Sequence, residues 1–245
     1  MSLLKLNGVD GSTSSPDIKD DGRTSGRSWV ASGNAQISTE QSKFGTTSLK
    51  LDGNGDFITS TGNINIAQAD FTVQCWVYPT NTPASTMTIV HFNAGSNGGL
   101  HIHRNTSGYL VVDNGLAGTT AGDVVIPLNT WSHIEVTRKG NTINGFVNGT
   151  KCLTHTAQTY TNATKCQIGR MANGGVTADW AGYIGMFSVD VVAFHTESFT
   201  PISVEPVPIG TVTHLLFSGS NGSQSVKEDR RLVWKADTGT SISTQ

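Results

Sequence analysis

Residues 71–77 read FTVQCWV, in which Phe, Val, Cys and Val recur at every second position. Residues 133–138 (HIEVTR), 142–147 and 182–189 continue the same alternation. Successive side chains of a strand point to opposite faces of its sheet, so these runs predict half-buried strands. Turn sequences such as DGNGD at 52–56 separate them. Because no window shows helical periodicity, the sequence predicts an all-β sandwich or barrel of many short strands.

The clearest turn signal is Asn148-Gly149, which lies between Phe146-Val147 and Lys151-Cys152-Leu153. A type I′ turn needs positive φ at both central residues, and Asn-Gly tolerates this best. We therefore expect a tight two-residue hairpin loop here.

Composition argues against several classes of function. Lys and Arg number 16 against 18 Asp and Glu, which gives a net charge of −2 and no strongly basic field to attract nucleic acid or an anionic membrane. No run of 18 apolar residues occurs, and the N-terminus lacks the apolar segment of a secretory signal, so we expect neither a membrane span nor a signal peptide. Three cysteines favour free thiols, with a Cys152–Cys166 bridge between neighbouring strands as the alternative.

The composition changes near residue 200. Three of the seven prolines lie at Pro201, Pro206 and Pro208, and proline favours extended chain that donates no ladder hydrogen bonds. We predict one domain over 1–200, a stiff linker over 201–210 and a separate C-terminal segment.

That segment, 211–245, resembles the beginning of the chain. LKLNGVDGS at 4–12 aligns with LLFSGSNGS at 215–223, and WVASGNAQISTE at 29–40 aligns with WKADTGTSISTQ at 234–245. We interpret it as a partial second copy of the opening strands. Since a lone strand pair cannot bury a core, it either adds strands to an adjacent subunit of a homo-oligomer or another partner, or folds back on its own domain, or is a remnant of a lost domain.

A series of separated motifs follows one order along the chain: FG at 44–45, SLKLDG at 48–53, DFI at 56–58, FTVQCWVYP at 71–79, LNTWSHIEVTR at 128–138, FVNG at 146–149, IGR at 168–170, GYIG at 182–185 and FTP at 199–201. In this order and spacing they resemble the laminin-G-like domains of the concanavalin-A-like superfamily. The resemblance covers roughly residues 1–205 and implies a two-sheet antiparallel jelly-roll sandwich. The variant with a strand before the first motif is most similar to single-domain proteins of phage virions and environmental bacteria.

The chain lacks the motifs of an enzyme. Glycosidases of that superfamily carry paired carboxylates on one strand, whereas Glu135 is isolated between Ile134 and Val136, and Glu197 and Glu205 flank the linker. We find no metalloprotease, nucleophile-elbow or phosphate-loop motif. We therefore predict no catalytic residues and no cofactor.

Two short patterns offer metal ligands. Asp52, Asn54 and Asp56 place oxygens at alternate positions of a turn, as some calcium-binding members of the family do, although an ordinary turn explains the same residues. His101 and His103 lie on one strand face, where pairs from several chains around a symmetry axis would surround a transition metal. A solvated strand face is the alternative.

Two functions fit this sequence. The first is a non-enzymatic virion or surface protein, a capsid decoration, fibre or tail component made in the host cytoplasm, whose C-terminal segment assists assembly with other virion proteins. The second is a carbohydrate-binding module or adhesin, with Tyr109, Asp179 and Trp180 as candidate glycan contacts. We expect Trp76 and Trp131, by contrast, to fill the space between the sheets.

Overall fold

A computed structural model of the chain describes residues 2–6, 9–13, 18–20, 28–64, 66, 68–82, 85–92, 98–114, 120–156, 160, 165–173, 176–202, 206–207, 216–218, 225–227 and 233–234. Its contacts divide into two compact units, residues 1–201 and 202–245. Within these described ranges no helix has the length and apolar character needed to cross a membrane.

The first unit consists of strands. They are β1 (Ser2–Leu6), β2 (Ile18–Asp20), β3 (Trp29–Ser32), β4 (Gln36–Ser38), β5 (Ser48–Asp52), β6 (Phe57–Ser60), β7 (Phe71–Pro79), β8 (Met87–Phe92), β9 (His101–Arg104), β10 (Tyr109–Asp113), β11 (Thr120–Val125), β12 (Ser132–Lys139), β13 (Thr142–Val147), β14 (Thr150–Thr156), β15 (Cys166–Ile168), β16 (Arg170–Asn173), β17 (Val176–Asp179) and β18 (Ala181–Asp190).

Two antiparallel sheets account for most of these strands. Sheet A has nine strands in the order β14-β13-β12-β7-β18-β1-β2, with β5 pairing β18 and β4 pairing β5. Sheet B has seven strands in the order β11-β10-β9-β8-β15-β6-β3. Strand β18 is the longest, and along one side its first half pairs with β5 and its second half with β1. The two-sheet jelly-roll sandwich predicted from the sequence is confirmed.

The core lies between the sheets. Alternate residues of β7 (Val73, Cys75 and Val77) join one buried apolar cluster with alternate residues of sheet B such as Ile102 and Val112. Fully burying one such side chain stabilises a fold by about 1.5–3 kcal/mol. The two sheets are therefore held together by their inward-facing rows.

The tryptophans are placed differently from our expectation. The prediction that Trp76 lies between the sheets is wrong. Its neighbours Cys75 and Val77 occupy the core face of β7, and alternation therefore turns Trp76 outward. There it packs against Phe44 with ring centroids 5.6 Å apart. Trp131 likewise packs on Tyr78, at 5.6 Å. The tryptophans that fill the core are Trp29 and Trp180.

The Asn148-Gly149 hairpin is confirmed. Asn148 has φ 51° and Gly149 has φ 76°, and the turn joins β13 to β14 through the pair Val147–Thr150. The Gly149 carbonyl accepts a 2.9 Å hydrogen bond from the amide of Phe199. The turn therefore also anchors the chain that follows β18.

All three cysteines, Cys75, Cys152 and Cys166, are free and buried. Burial raises the pKa of Cys152 to about 12 and raises the pKa of the other two thiols as well. No bridge joins Cys152 to Cys166, so the free-thiol interpretation is the one that the structure supports.

The described residues of the second unit form four short strands: β19 (Pro206–Val207), β20 (Leu216–Ser218), β21 (Ser225–Lys227) and β22 (Val233–Trp234). Strand β20 pairs antiparallel with β21, as β1 pairs with β2 in the first unit. Strand β19, inside the segment predicted as a linker, pairs with β22. The partial-repeat interpretation of 211–245 stays a prediction.

We predict that Gly149→Ala destabilises the first unit by more than about 2 kcal/mol. Positive φ alone costs an alanine roughly 1–2 kcal/mol. At Gly149 an added Cβ would in addition lie 2.0 Å from the carbonyl oxygen of Phe199, so that backbone must move. Urea unfolding followed by tryptophan fluorescence measures the loss.

Gly140→Ala is the matched control. Gly140 also has positive φ, 56°, but a Cβ there meets no atom within 4 Å among the described residues. It should lose only the backbone contribution. Equal losses for the two variants would show that the contact with Phe199 does not constrain the turn.

Candidate functional site

The outer face of sheet A is covered by chain that follows β18. Thr72 Oγ1 donates to the carbonyl of Val192 at 2.7 Å, and Thr137 Oγ1 donates to the carbonyl of His195 at 2.8 Å. The ring of Phe199 stacks on that of His195 with centroids 3.6 Å apart. This segment therefore closes one end of the face.

Beneath this cover lie two buried polar pairs. His195 Nδ1 lies 2.8 Å from Glu135 Oε1, and Glu135 is 1% exposed. His133 Nε2 lies 3.1 Å from Gln74 Oε1. Burial raises the pKa of Glu135 although His195 opposes this shift, and burial lowers the pKa of His133 to about 3, with the positive charges of His195 and Lys43 acting in the same direction. Both groups are held by the packing rather than presented to solvent.

Sheet B carries a continuous row of side chains across its outer face. Each member pairs laterally with the next on the neighbouring strand, and each lies beside a core residue on its own strand, so the row faces away from the core. We call it the transverse row; its members in lateral order are Val30, Thr59, Gln167, His91, His101 and Asp113.

One end of the transverse row opens into a groove of about 410 Å³. This is within the usual size range of small-molecule sites, about 300–1,000 Å³. Most of its lining residues are polar in type, with hydroxyl, amide and ammonium groups beside one aliphatic side chain, although apolar atoms make up most of the lining surface: Val30, Ser32, Thr59, Ser60, Thr61, Lys165 and Gln167.

Gln167 lines this groove and carries an unsatisfied amide oxygen. Its Nε2 lies 3.4 Å from Thr59 Oγ1, while its buried Oε1 has no hydrogen-bond partner within the part of the chain that the structure describes. Val30, opposite, is 55% exposed. The groove thus combines an unsatisfied amide oxygen just below its surface with an exposed aliphatic side chain, on either side of Thr59.

The other end of the row forms a His–Asp cluster, by which we mean His101, His103 and Asp113. Nδ1 of His101 lies 3.3 Å from Asp113 Oδ1, and Nε2 of His103 lies 3.0 Å from Asp113 Oδ2. The two imidazole rings stack with centroids 4.3 Å apart. All three residues are at most 5% exposed, so the interpretation of a solvated strand face is wrong.

Electrostatics in the cluster favour an ionised carboxylate beside neutral imidazole. Burial by itself would raise the pKa of Asp113, but hydrogen bonds from His101 and His103 outweigh it and lower the pKa well below its ordinary value. Burial lowers the pKa of His101, against the opposing hydrogen bond to Asp113. Neutral imidazole and ionised carboxylate are the forms that bind metal ions.

The residues predicted to hold calcium lie in the turn between β5 and β6. Asp56 Oδ1 accepts from the amide of Asn34 at 2.7 Å, and its Oδ2 accepts from the amide of Asp52 at 2.9 Å. Asp52 Oδ1 accepts from the amide of Asn54 at 2.7 Å. Burial raises the pKa of Asp56. These hydrogen bonds are those of a folded turn, and the calcium hypothesis stays a prediction.

The three candidate glycan residues do not form one site. Asp179 reaches the calcium-candidate turn, where its Oδ2 accepts from the amide of Gly55 at 3.0 Å and its Oδ1 lies 3.4 Å from Arg170 Nε. Trp180 is fully buried, so its ring offers no face to a sugar in this structure. Tyr109 is half-buried on β10, where its amide donates to Asn105.

The sequence analysis missed the partners of the residues it selected. His101 and His103 were identified, but Asp113 and His91 join them only through the pairing of β8, β9 and β10. Glu135 was judged isolated, whereas His195, sixty positions away, lies against it. Gln167 was not among the residues that the sequence analysis selected.

Comparison with known proteins identifies a family. The Laminin_G_3 family, described as the concanavalin A-like lectin/glucanases superfamily, matches residues 52–201. Comparison with curated proteins gave no match.

Several solved structures share the fold. The binding domain of botulinum neurotoxin serotype D/C matches with a TM-score of 0.58 and 14% identity, over 79% of this chain and 49% of that one. A mutant of HCR/D matches with a TM-score of 0.59 and 13% identity, over 80% and 49%. A Trypanosoma rangeli sialidase mutant displaying trans-sialidase activity matches with a TM-score of 0.55 and 14% identity, over 79% and 30%. The chain spans about half the length of the first two and under a third of the sialidase, and likeness at this identity shows the fold alone.

We predict that His133 makes the fold sensitive to acid. Its pKa is about 6.5 in the unfolded chain and about 3 in the folded protein, so its contribution to stability is complete above pH 6.5 and is lost as the pH falls towards 3. The slope for one such group approaches about 1.4 kcal/mol per pH unit. Between pH 7 and pH 5, His133→Gln should therefore lose about 2 kcal/mol less stability than the parent, measured by urea unfolding.

His155→Gln is the control, because His155 is half-buried near the end of β14, away from His133, with Nδ1 against the Thr156 carbonyl. It should retain the parental pH dependence. If His133→Gln does so too, another group is responsible for the acid sensitivity.

Proposed function

The chain belongs to the Laminin_G_3 family of the concanavalin A-like superfamily, and on that premise we propose that it is a non-catalytic binding domain that holds a carbohydrate in the groove of sheet B. The observation that supports this most is the unpartnered, buried Oε1 of Gln167 in a groove lined by hydroxyl groups. Among the described residues no hydrogen bond satisfies that oxygen, and rotation of the covered amide into the groove would bring it to a ligand hydroxyl.

The chemistry of the groove matches a sugar. Thr59, Ser32 and Gln167 can exchange hydrogen bonds with ring hydroxyls, and Val30 offers an apolar surface to a face of C–H groups. Lys165 adds a positive charge at the rim that would attract a carboxylated sugar.

The absence of catalysis is part of the proposal. Glu135, the carboxylate on a central strand of sheet A, is buried against His195 and lies under the segment that follows β18. A glycosidase needs two carboxyl groups that reach the substrate, about 5 Å apart in a retaining enzyme. Glu135 is not placed for that role.

A second candidate function is assembly in a virion or on a surface. It is supported by the separate C-terminal unit, in which β20 pairs with β21 and β19 with β22. Strand pairs of this size are marginal by themselves and are stabilised when they join a larger sheet. In this hypothesis residues 211–245 add strands to a neighbouring subunit or to another virion protein.

Binding in the groove is testable by substitution. We expect the full chain to bind at least one oligosaccharide on a glycan array. Gln167→Ala and Thr59→Val should each weaken that binding about tenfold in calorimetry, because each removes one hydrogen bond worth about 1–1.5 kcal/mol.

Thr130→Ala provides the control, since Thr130 lies in the turn before β12 and its hydroxyl donates to the Leu128 carbonyl. Its affinity should equal that of the parent. Failure of the parent to bind any glycan, or unchanged binding by both groove variants, would contradict the proposal.

The assembly hypothesis predicts a concentration-dependent oligomer. Light scattering should give a larger mass for the full chain than for a chain ending at residue 210, because the latter lacks the strands that would add to a neighbour. Two monomers at high concentration would remove the support for self-assembly through 211–245.

A further inference from the structure

The His–Asp cluster brings three metal-ligating side chains together inside one chain. His101 and His103 project from the same face of β9 because they are two residues apart, and Asp113 lies directly opposite His101 on β10. Their ligating atoms all lie within 4.8 Å of one another. The arrangement needs no second subunit, unlike the symmetric site considered from the sequence.

The distances within the cluster are those between ligands of one ion. The His101–Asp113 and His103–Asp113 contacts are 3.3 and 3.0 Å long. Ligands at about 2.0–2.1 Å from a tetrahedral Zn²⁺ lie roughly 3.3 Å from each other. Only small movements are needed for the three groups to surround an ion.

A neighbouring hydroxyl orients the ring of His101. His101 Nε2 lies 3.0 Å from Thr88 Oγ1, across the pairing of β8 with β9. In the metal-free cluster Nδ1 of His101 donates to the Asp113 carboxylate; when an ion takes the place of that proton, Nε2 keeps its hydrogen bond to the Thr88 hydroxyl, which can either donate or accept. Metal-bound histidines are usually oriented in this way by a hydrogen bond from the second ring nitrogen.

Further donors lie buried next to the cluster. His91 packs edge-on against His101 with ring centroids 5.5 Å apart. Its Nδ1 and the Nδ1 of His103 are buried and have no hydrogen-bond partner among the residues described.

We propose that His101, His103 and Asp113 form a Zn²⁺-binding site on the outer face of sheet B. Two imidazoles and one carboxylate suit Zn²⁺ and its transition-metal neighbours, whereas Ca²⁺ takes six to eight oxygen ligands. The ion balances the charge of the buried Asp113 carboxylate, and it ties β9 to β10. The site lies in the same transverse row as the groove but does not depend on carbohydrate binding there.

Zinc titration of the tag-free full chain tests the proposal. After removal of metal with a chelator, competition against a chromophoric zinc indicator should give one Zn²⁺ per chain, and the melting temperature should rise with added zinc. His103→Gln and Asp113→Asn should weaken binding roughly 100-fold, since each removes a ligand. His155→Gln, which changes a histidine of β14 outside the cluster, should bind as the parent does.

Anomalous scattering at the zinc edge from crystals of the unmodified chain locates the ion without any substitution, so the test does not rely on every variant folding. An ion among His101, His103 and Asp113 supports the site. The proposal is overturned if the parent binds no zinc, if the ion lies elsewhere, or if both cluster variants bind as tightly as the parent.

Discussion

Burial of one face of each sheet against the other is the constraint from which the rest of this structure follows. Ile102 and Val112 point into the shared core. Because successive side chains of a strand point to opposite faces, the residues on either side of them must point outward. His101, His103 and Asp113 are therefore turned outward together. The same rule aligns the transverse row, strand by strand, because antiparallel pairing fixes which residues lie side by side.

The outer faces of the two sheets are covered to different extents. On sheet A, the chain after β18 returns across the strands and buries Glu135 and His133 beneath His195 and Phe199. On sheet B, the row carries an open groove at one end and a buried cluster of ligating groups at the other. On sheet A the outward-facing polar side chains are paired with the covering segment, whereas on sheet B some of them line the groove.

Alternation alone was enough to predict the sandwich, the Asn148-Gly149 turn and the shared face of His101 and His103. What it lacks is the lateral register. Asp113 meets His103 because β9 and β10 pair in one register, and a bulge between Thr88 and Val90 decides what His101 faces on β8. For Trp76, alternation alone would have given the correct answer. The FTVQCWV run already places it on the face opposite Cys75 and Val77, whereas the general preference of tryptophan for buried positions led to the wrong prediction.

The state of the cysteines has a practical consequence. Cys75, Cys152 and Cys166 are protonated, enclosed and unlinked, so the sandwich owes nothing to oxidising surroundings and can form in a reducing compartment as well. A thiol reagent reaches them only when strands separate. The rate of alkylation therefore measures how often the sandwich opens. Cys152 lies on the edge strand β14 and reports opening at the edge of sheet A, whereas Cys75 on β7 reports opening at its centre.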